Sequence, residues 1–215
     1  PAELFIANAD SDRAALSAHF AQVRAASLAL ARPLSAEDQC VQSMPDASPT
    51  KWHLAHTTWF FEAVVLMPHT SCAPFDACYL HLFNSYYESL GSRHPRARRG
   101  LLTRPNLHEI HRYRGHIDAA VLRLIAGADK DTLRSVAPVI LLGLQHEQQH
   151  QELILTDALH LLSCNPSLPA LRAPDDGPLR LEAPPPVKWL DGPGGLVEIG
   201  HAGPGFAFDN EGPRH

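Results

Sequence analysis

A mainly α protein is predicted: a four-helix bundle with one long crossover loop, followed by a Pro/Gly-rich segment. Four stretches of 17 to 33 residues carry apolar side chains at helical spacing. Their connections are mostly short, which sets successive helices antiparallel, apart from the crossover at residues 68–105. Beyond residue 164 the composition shifts: ten of the 19 prolines and eight of the 13 glycines fall in the last 51 residues, so the bundle is expected to end there.

The first helix is predicted over residues 10–31, which hold no proline or glycine, and Arg32-Pro33 closes it. A short helical turn over 35–42 and a polar loop follow. Ser48-Pro49-Thr50 offers a side-chain cap with proline in the first turn, which places the second helix at 51–67. The third runs over 106–126, after Arg104-Pro105, and the fourth over 131–163, where Pro138 marks a kink or a start close by. The crossover is rich in aromatics (Phe75, Tyr79, Phe83, Tyr86, Tyr87) and arginines, a composition that predicts packing over the bundle. In the last segment, Pro184-Pro185-Pro186 reads as a stiff linker and residues 187–199 as two short β-strands about a Gly/Pro turn. Two strands cannot bury a core alone, so they read as the opening of a truncated second domain. The expected organisation is a bundle over 1–164, a linker over 165–186 and an incomplete β-containing unit over 187–215.

With 215 residues, 45% of them hydrophobic and 19% charged, the chain can bury one ordinary core. Eighteen Lys+Arg against 23 Asp+Glu give a formal charge of −5, with no basic block outside 93–99. That balance argues against nucleic acid and for small-molecule partners. No apolar run approaches the roughly 18 residues that cross a bilayer, and the first residues lack the features of a signal peptide, so a cytoplasmic protein that does not enter the membrane is expected. Cys40, Cys72, Cys78 and Cys164 form no CxxC pair and no dense framework. Whether Cys72 and Cys78, which flank a short loop, pair with each other is left open. Histidine is the outlier, with 14 copies.

In Leu144-Gln145-His146-Glu147-Gln148-Gln149-His150-Gln151-Glu152-Leu153, two imidazoles stand four residues apart on a predicted helix. Four residues advance about 400° and about 6 Å, so both rings share a face and can converge on one ion. A third ligand is expected from a facing helix, as bundle cores build their metal sites. On the second helix the stripe Trp52, Ala55, Trp59, Ala63 has His56 at its centre, pointing inward, whereas His53 falls toward the side shared with Thr57. The candidate ligands are therefore His56, His146 and His150. The plainer readings are a hydrogen-bonded core histidine at His56 and a surface pair in a Gln/Glu-rich patch; Gly143, Leu144, Leu153 and Ile154 beside the pair favour burial. His108, His111 and His116 sit among Glu109, Arg112, Arg114 and Asp118 on a charged face and are expected in solvent, while His160 fits either core or surface.

The same segment spells the HExxH of zinc peptidases. Metzincins continue it with glycine three residues after the second histidine and histidine three further on, but Leu153 and Thr156 stand there, which excludes that subclass. A downstream glutamate ligand would need another helix, and the sequence beyond the fourth is proline-rich.

Four blocks, SPTKWHLAHTTWFFE (48–62), FNSYYESLGSRHPRARRGLLTRP (83–105), LQHEQQHQELILTD (144–157) and GFAFDNEGPRH (205–215), resemble in content and order the ergothioneine-biosynthesis sulfoxide synthases, or hercynine oxygenases. These non-haem iron enzymes have an amino-terminal DinB-like bundle followed by a formylglycine-generating-enzyme-like domain. The resemblance implies Fe(II) on His56, His146 and His150, a site that also accepts zinc or nickel. It implies hercynine, cysteine or γ-glutamylcysteine, and O2 as reactants, with the choice of thiol open. Gln149 would contact hercynine, Tyr86 and Tyr87 would line the site, and Arg96 would bind a substrate carboxylate, a role that Arg93, Arg98 or Arg99 could take instead. Glu147 is expected to be a structural hydrogen-bonding partner rather than a base.

The family's catalytic tyrosine lies in the second domain, so no catalytic residue is expected in this chain and the chain is expected to be inactive alone. It reads as a fragment, a natural truncation, or half of a split enzyme that meets a separate second-domain chain. Two alternatives stay open: a stand-alone DinB-like thiol transferase that uses zinc or nickel without O2, and a non-catalytic, metal-stabilised module that docks on a separate second domain.

Overall fold

A computed structural model of the chain describes residues 9–85, 92–172, 185–192, 194–203 and 205–215. Contacts define a helical unit, Ile6–Arg172, and a second unit that holds Ala173–His215. Four long helices build the first: α1 (Ala9–Ala31), α2 (Thr50–Phe60), α3 (Leu107–Gly127) and α4 (Lys130–Ser163). They stand where apolar periodicity placed them. The main core is a cluster to which α1 gives Leu16, Phe20 and Val23, α3 gives Ile110, Ile117, Val121 and Ile125, and α4 gives Leu133, Val136, Ile140 and Leu144; Leu34, Ala158 and Leu162 form a smaller one.

Local chemistry sets the helix ends. Asn106 caps α3 in a reciprocal box with Glu109, whose backbone N–H donates to Asn106 Oδ1 at 2.9 Å while its carboxylate accepts from the Asn106 N–H at 2.7 Å. Asp129 caps α4 through the Thr132 N–H at 2.7 Å. Pro138 lies inside α4 without ending it, and it is exposed. On that face water can satisfy the Arg134 carbonyl that proline leaves without an N–H partner. The cap expected from Ser48 is not made: Pro49 is the N-cap residue of α2, and the Ser48 hydroxyl accepts from Arg99 Nη1 at 2.9 Å instead.

Every residue of α2 is buried, because α1, α3 and α4 all pack on it. Beyond Phe60 the same rod widens into a π-helical turn, Phe61–Leu66, before one α turn, Met67–His69. The wide turn places Glu62 inside, 1% exposed, where it accepts from the Phe75 N–H at 2.6 Å and from the Tyr113 hydroxyl at 2.5 Å. Burial pushes its carboxyl above the usual value.

The crossover packs over the bundle as its aromatics predicted. Tyr79 and Phe83 are buried, and Tyr79 and Phe75 meet Tyr113 of α3 with ring centroids 5.0 and 5.2 Å away. It contains a helical turn, Tyr79–Leu82, and a 3-10 turn, Arg96–Leu101. Gln42 fastens the latter, accepting from the Gly100 N–H at 2.7 Å and donating to the Arg96 carbonyl at 2.8 Å. Tyr86 and Tyr87 lie outside the described residues.

A buried ionic cluster joins all four helices. Glu147 of α4 is fully buried and accepts from Arg24 Nη1 (2.9 Å) and Ser27 Oγ (2.6 Å) on α1 and from Arg114 Nη2 (2.5 Å) on α3. Arg24 also donates to Asp118 (2.6 Å) on α3 and to Thr58 (2.9 Å) on α2. Glu147 thus has the structural role expected of it. Arg114 does not lie on the exposed face of α3 as its charge suggested; its partners Glu147 and the Arg24 carbonyl hold it inside. His108, His111 and His116 are exposed.

In the second unit no strand forms among the described residues, and the expected strand pair at 187–199 is not seen there. Trp189, Leu190 and Leu196 are almost wholly exposed, so no packed layer orders that segment. Pairing occurs instead between Ile199 and His215, which exchange backbone N–H···O bonds of 2.7 and 2.9 Å, and from the His201 N–H to the Glu211 carbonyl at 2.7 Å. The four cysteines, Cys72 and Cys78 included, are free thiols. Among the described residues no helix is long and apolar enough to cross a membrane.

Candidate metal centre

The site is a property of two helices. His146 and His150 project from one face of α4, and His56 faces them from α2. One nitrogen from each ring lies within 4.8 Å of the others. Ring centroids are 5.0 Å apart for His56 and His146, 4.7 Å for His56 and His150, and 4.6 Å for the i, i+4 pair. Gly143, one turn before His146, lets the helices approach this closely: a Cβ there would fall 2.7 Å from Phe61 Cε1 and 2.8 Å from Phe60 Cε1. Gly143→Ala is therefore expected to cost about 1–3 kcal/mol and to weaken metal binding, read by denaturant melts and metal titration of the same protein.

Each ligand is oriented differently. His56 Nδ1 lies 2.6 Å from the Phe83 carbonyl, which can only accept, so Nδ1 carries the hydrogen and Nε2 keeps a bare lone pair. The His56 ring lies near-parallel to Trp52 (15°, 4.6 Å) and to Trp59 (14°, 5.7 Å). His146 Nδ1 is buried with no hydrogen-bond partner. An orphaned buried nitrogen carries a free-energy cost unless something fills the position, and a cation does so. His150 Nδ1 is 2.8 Å from His53 Nδ1, and His53 Nε2 is 3.0 Å from Asp157 Oδ2.

Burial, reinforced by neighbouring rings, lowers every imidazole in the cluster. His56 lies well below the usual histidine value through burial and then His146; His150 is lowered by burial and then by His56, His53 and His146. His146 is lowered to about 4, chiefly by burial. The rings are neutral at pH 7, the protonation state a metal ion needs. Three neutral nitrogen donors without a carboxylate fit a first-row divalent ion and leave its charge uncompensated. Glu147 adds no donor: burial raises its carboxyl, but Arg24 and Arg114 outweigh that and hold it at about 2.

Beside the site lies a pocket of about 360 Å3 lined by Ser85, Arg93, His94, Pro95, Arg96 and Arg99. Arg99 links the two regions, since its guanidinium carbon sits 3.3 Å from the centre of the Trp52 ring that stacks on His56. Arg96 is exposed. Burial lowers His53, with a smaller push from the charges of Arg99 and Arg96, whereas Asp157 is lowered against the cost of its burial by its bonds to His53 and the Ser48 N–H. Gln149 lies on the exposed side of α4. Of the residues assigned from sequence, the structure brings His56, His146 and His150 together, lines the pocket with Arg96, and leaves Gln149 facing solvent.

His53 and Asp157 are not among the residues expected at the site. His53 falls to one side of the apolar stripe, although no charged residue occurs between Trp52 and Phe61, a sign that the helix is buried all round. Asp157 lies seven residues, about two turns, beyond His150 and so shares its face.

No curated protein matches the chain. The sequence model of the DinB superfamily matches residues 19–154, a span that includes His56, His146 and His150. Domains of this kind bind divalent metals. The match covers well over half of the sequence and agrees with the helical bundle and its histidine triad, so the chain belongs to the DinB superfamily.

Proposed function

We propose that this chain is the Fe(II)-binding part of a non-haem iron sulfoxide synthase, which joins the sulfur of cysteine or γ-glutamylcysteine to hercynine in ergothioneine biosynthesis. The observation that carries the reading is a triad of three neutral imidazoles, His56 buried and His146 and His150 half-buried, with no carboxylate and next to an arginine-lined pocket. Three of the four sequence blocks that resemble that family, 48–62, 83–105 and 144–157, supply the triad and the arginines of the pocket. The reaction balances as thiol plus imidazole C–H plus O2 giving the S-imidazolyl sulfoxide and water: four electrons leave the substrates as a C–S and an S–O bond form, and both hydrogens leave in the water.

On this reading His56, His146 and His150 hold the ion. Iron(II) bound there supplies Lewis acidity toward the thiol and electrons toward O2. The chain's own residues bind and orient. Arg96, with Arg93 and Arg99 around the same pocket, fixes a substrate carboxylate, and the bidentate fork of a guanidinium suits an amino-acid carboxylate. Trp52, clamped between Arg99 and His56, holds that pocket at a fixed distance from the ligand. A formylglycine-generating-enzyme-like domain completes the substrate site.

The test is mass spectrometry of mixtures holding the chain, Fe(II), hercynine, each thiol in turn and O2, with and without such a domain supplied in trans. Sulfoxide is expected only when both parts and O2 are present. No product in either mixture, or thiol conjugation that proceeds equally without O2, would contradict the reading; the second outcome is that of a thiol transferase.

A further inference from the structure

We propose that His53 and Asp157 are a positioning pair for His150, fixing its tautomer so that Nε2 is the nitrogen offered to the metal. Asp157 Oδ2 accepts from the Ser48 backbone N–H at 2.8 Å and lies 3.0 Å from His53 Nε2. A carboxylate oxygen in that position can only accept, so His53 carries its hydrogen on Nε2. The two facing Nδ1 atoms of His53 and His150, 2.8 Å apart, share one further hydrogen.

Two arrangements of that hydrogen exist. If His53 donated it, His53 would be a cation, and the lone pair of His150 Nδ1 would be spent on the hydrogen bond. The His150 hydrogen would then sit on Nε2, leaving neither nitrogen able to ligate. If His150 donates it, His53 stays neutral and His150 Nε2 is bare. Ligation by His150 is therefore compatible with this hydrogen bond in one arrangement only. The chain Asp157–His53–His150 enforces it, as carboxylates and carbonyls behind metal-bound histidines do.

The surroundings fix the pair. His53 is 2% exposed on the all-buried α2, and the Ser48 N–H holds Asp157 from the chain entering that helix. Ser48 Oγ is in turn held by Arg99, so the outer end of the chain is anchored to the wall of the arginine pocket. His53 thus acts through His150 and is a positioning residue.

The proposal rests on His150 being a ligand, and the experiment separates the two claims. In the full, metal-free chain labelled with 15N-histidine, two-bond 1H–15N correlations are expected to show His150 protonated at Nδ1 and bare at Nε2, with His53 protonated at Nε2. His150 protonated at Nε2 would overturn the pair's role. This measurement needs no variant and holds whether or not the variants fold. In parallel, zinc affinity is measured by chelator competition. His53→Phe is expected to lower it about 10–100-fold while one ion per chain still binds, and His53→Gln, whose amide oxygen accepts the same hydrogen bond, to recover part of the loss. Affinity within twofold of the unmodified protein in His53→Phe, with binding abolished in His150→Ala, would overturn the positioning role alone. Unchanged zinc binding in His150→Ala would overturn the ligand assignment itself.

Discussion

Glu147→Ala is expected to destabilise the helical unit by about 3–5 kcal/mol, read as a lower denaturant midpoint with an unchanged slope. The substitution removes the carboxylate that answers Arg24 and Arg114, leaving two buried guanidiniums without their shared counter-charge. The same group sets an acid limit. Its carboxyl lies at about 2 in the folded chain against an ordinary 4.5, because the two arginines outweigh the cost of burying it. A depressed carboxyl stabilises the fold above its unfolded value, and that stabilisation is lost as pH falls from about 4.5 to about 2. By linkage the loss is about 3 kcal/mol. Melts of the wild type below pH 4.5 should fall more steeply than those of Glu147→Ala, which lacks the group.

The second large effect is metal-linked stability. At a thousandfold excess over the dissociation constant, one ion that binds only the folded chain adds about 4 kcal/mol, or roughly 8–16 °C in melting temperature for a chain of this size. His56→Ala, His146→Ala and His150→Ala are each expected to abolish most of that increment. The orphaned Nδ1 of His146 sharpens the contrast, since removing that ring from the metal-free protein removes a cost as well as a contact. Calorimetric melts with and without Fe(II) or zinc check this, the increment being compared within each variant.

Much of this was legible in the sequence. Apolar periodicity locates all four helices, and the i, i+4 spacing of His146 and His150 with one inward histidine on α2 points to the triad that the structure brings together. What escaped has identifiable causes. The stripe Trp52, Ala55, Trp59, Ala63 suggests an amphipathic α2 with one face toward the core, but the helix is wrapped on every side. The face assigned to His53 and Thr57 is therefore as dry as the one assigned to His56, and the Asp157–His53–His150 chain went unseen. The charge of Arg114 points to solvent while its spacing points inward: it follows Ile110 by four residues and precedes Ile117 by three, on the buried stripe, and its charge is answered by Glu147. Local preference favours a capping role for Ser48, but a long-range partner, Arg99, claims its hydroxyl. These are tertiary contacts overriding local signals, and no reading of one helix at a time contains them.

His56, His146 and His150 are proposed to hold one divalent ion together. Anaerobic titration of the full chain with Fe(II), followed by X-ray absorption at the iron edge, tests it most directly. Saturation is expected at one ion per chain with three imidazoles in the scattering shell, and loss of that signal when any of the three is replaced. Saturable iron binding that persists with all three replaced by alanine, or a loaded site with no imidazole scattering, would contradict it.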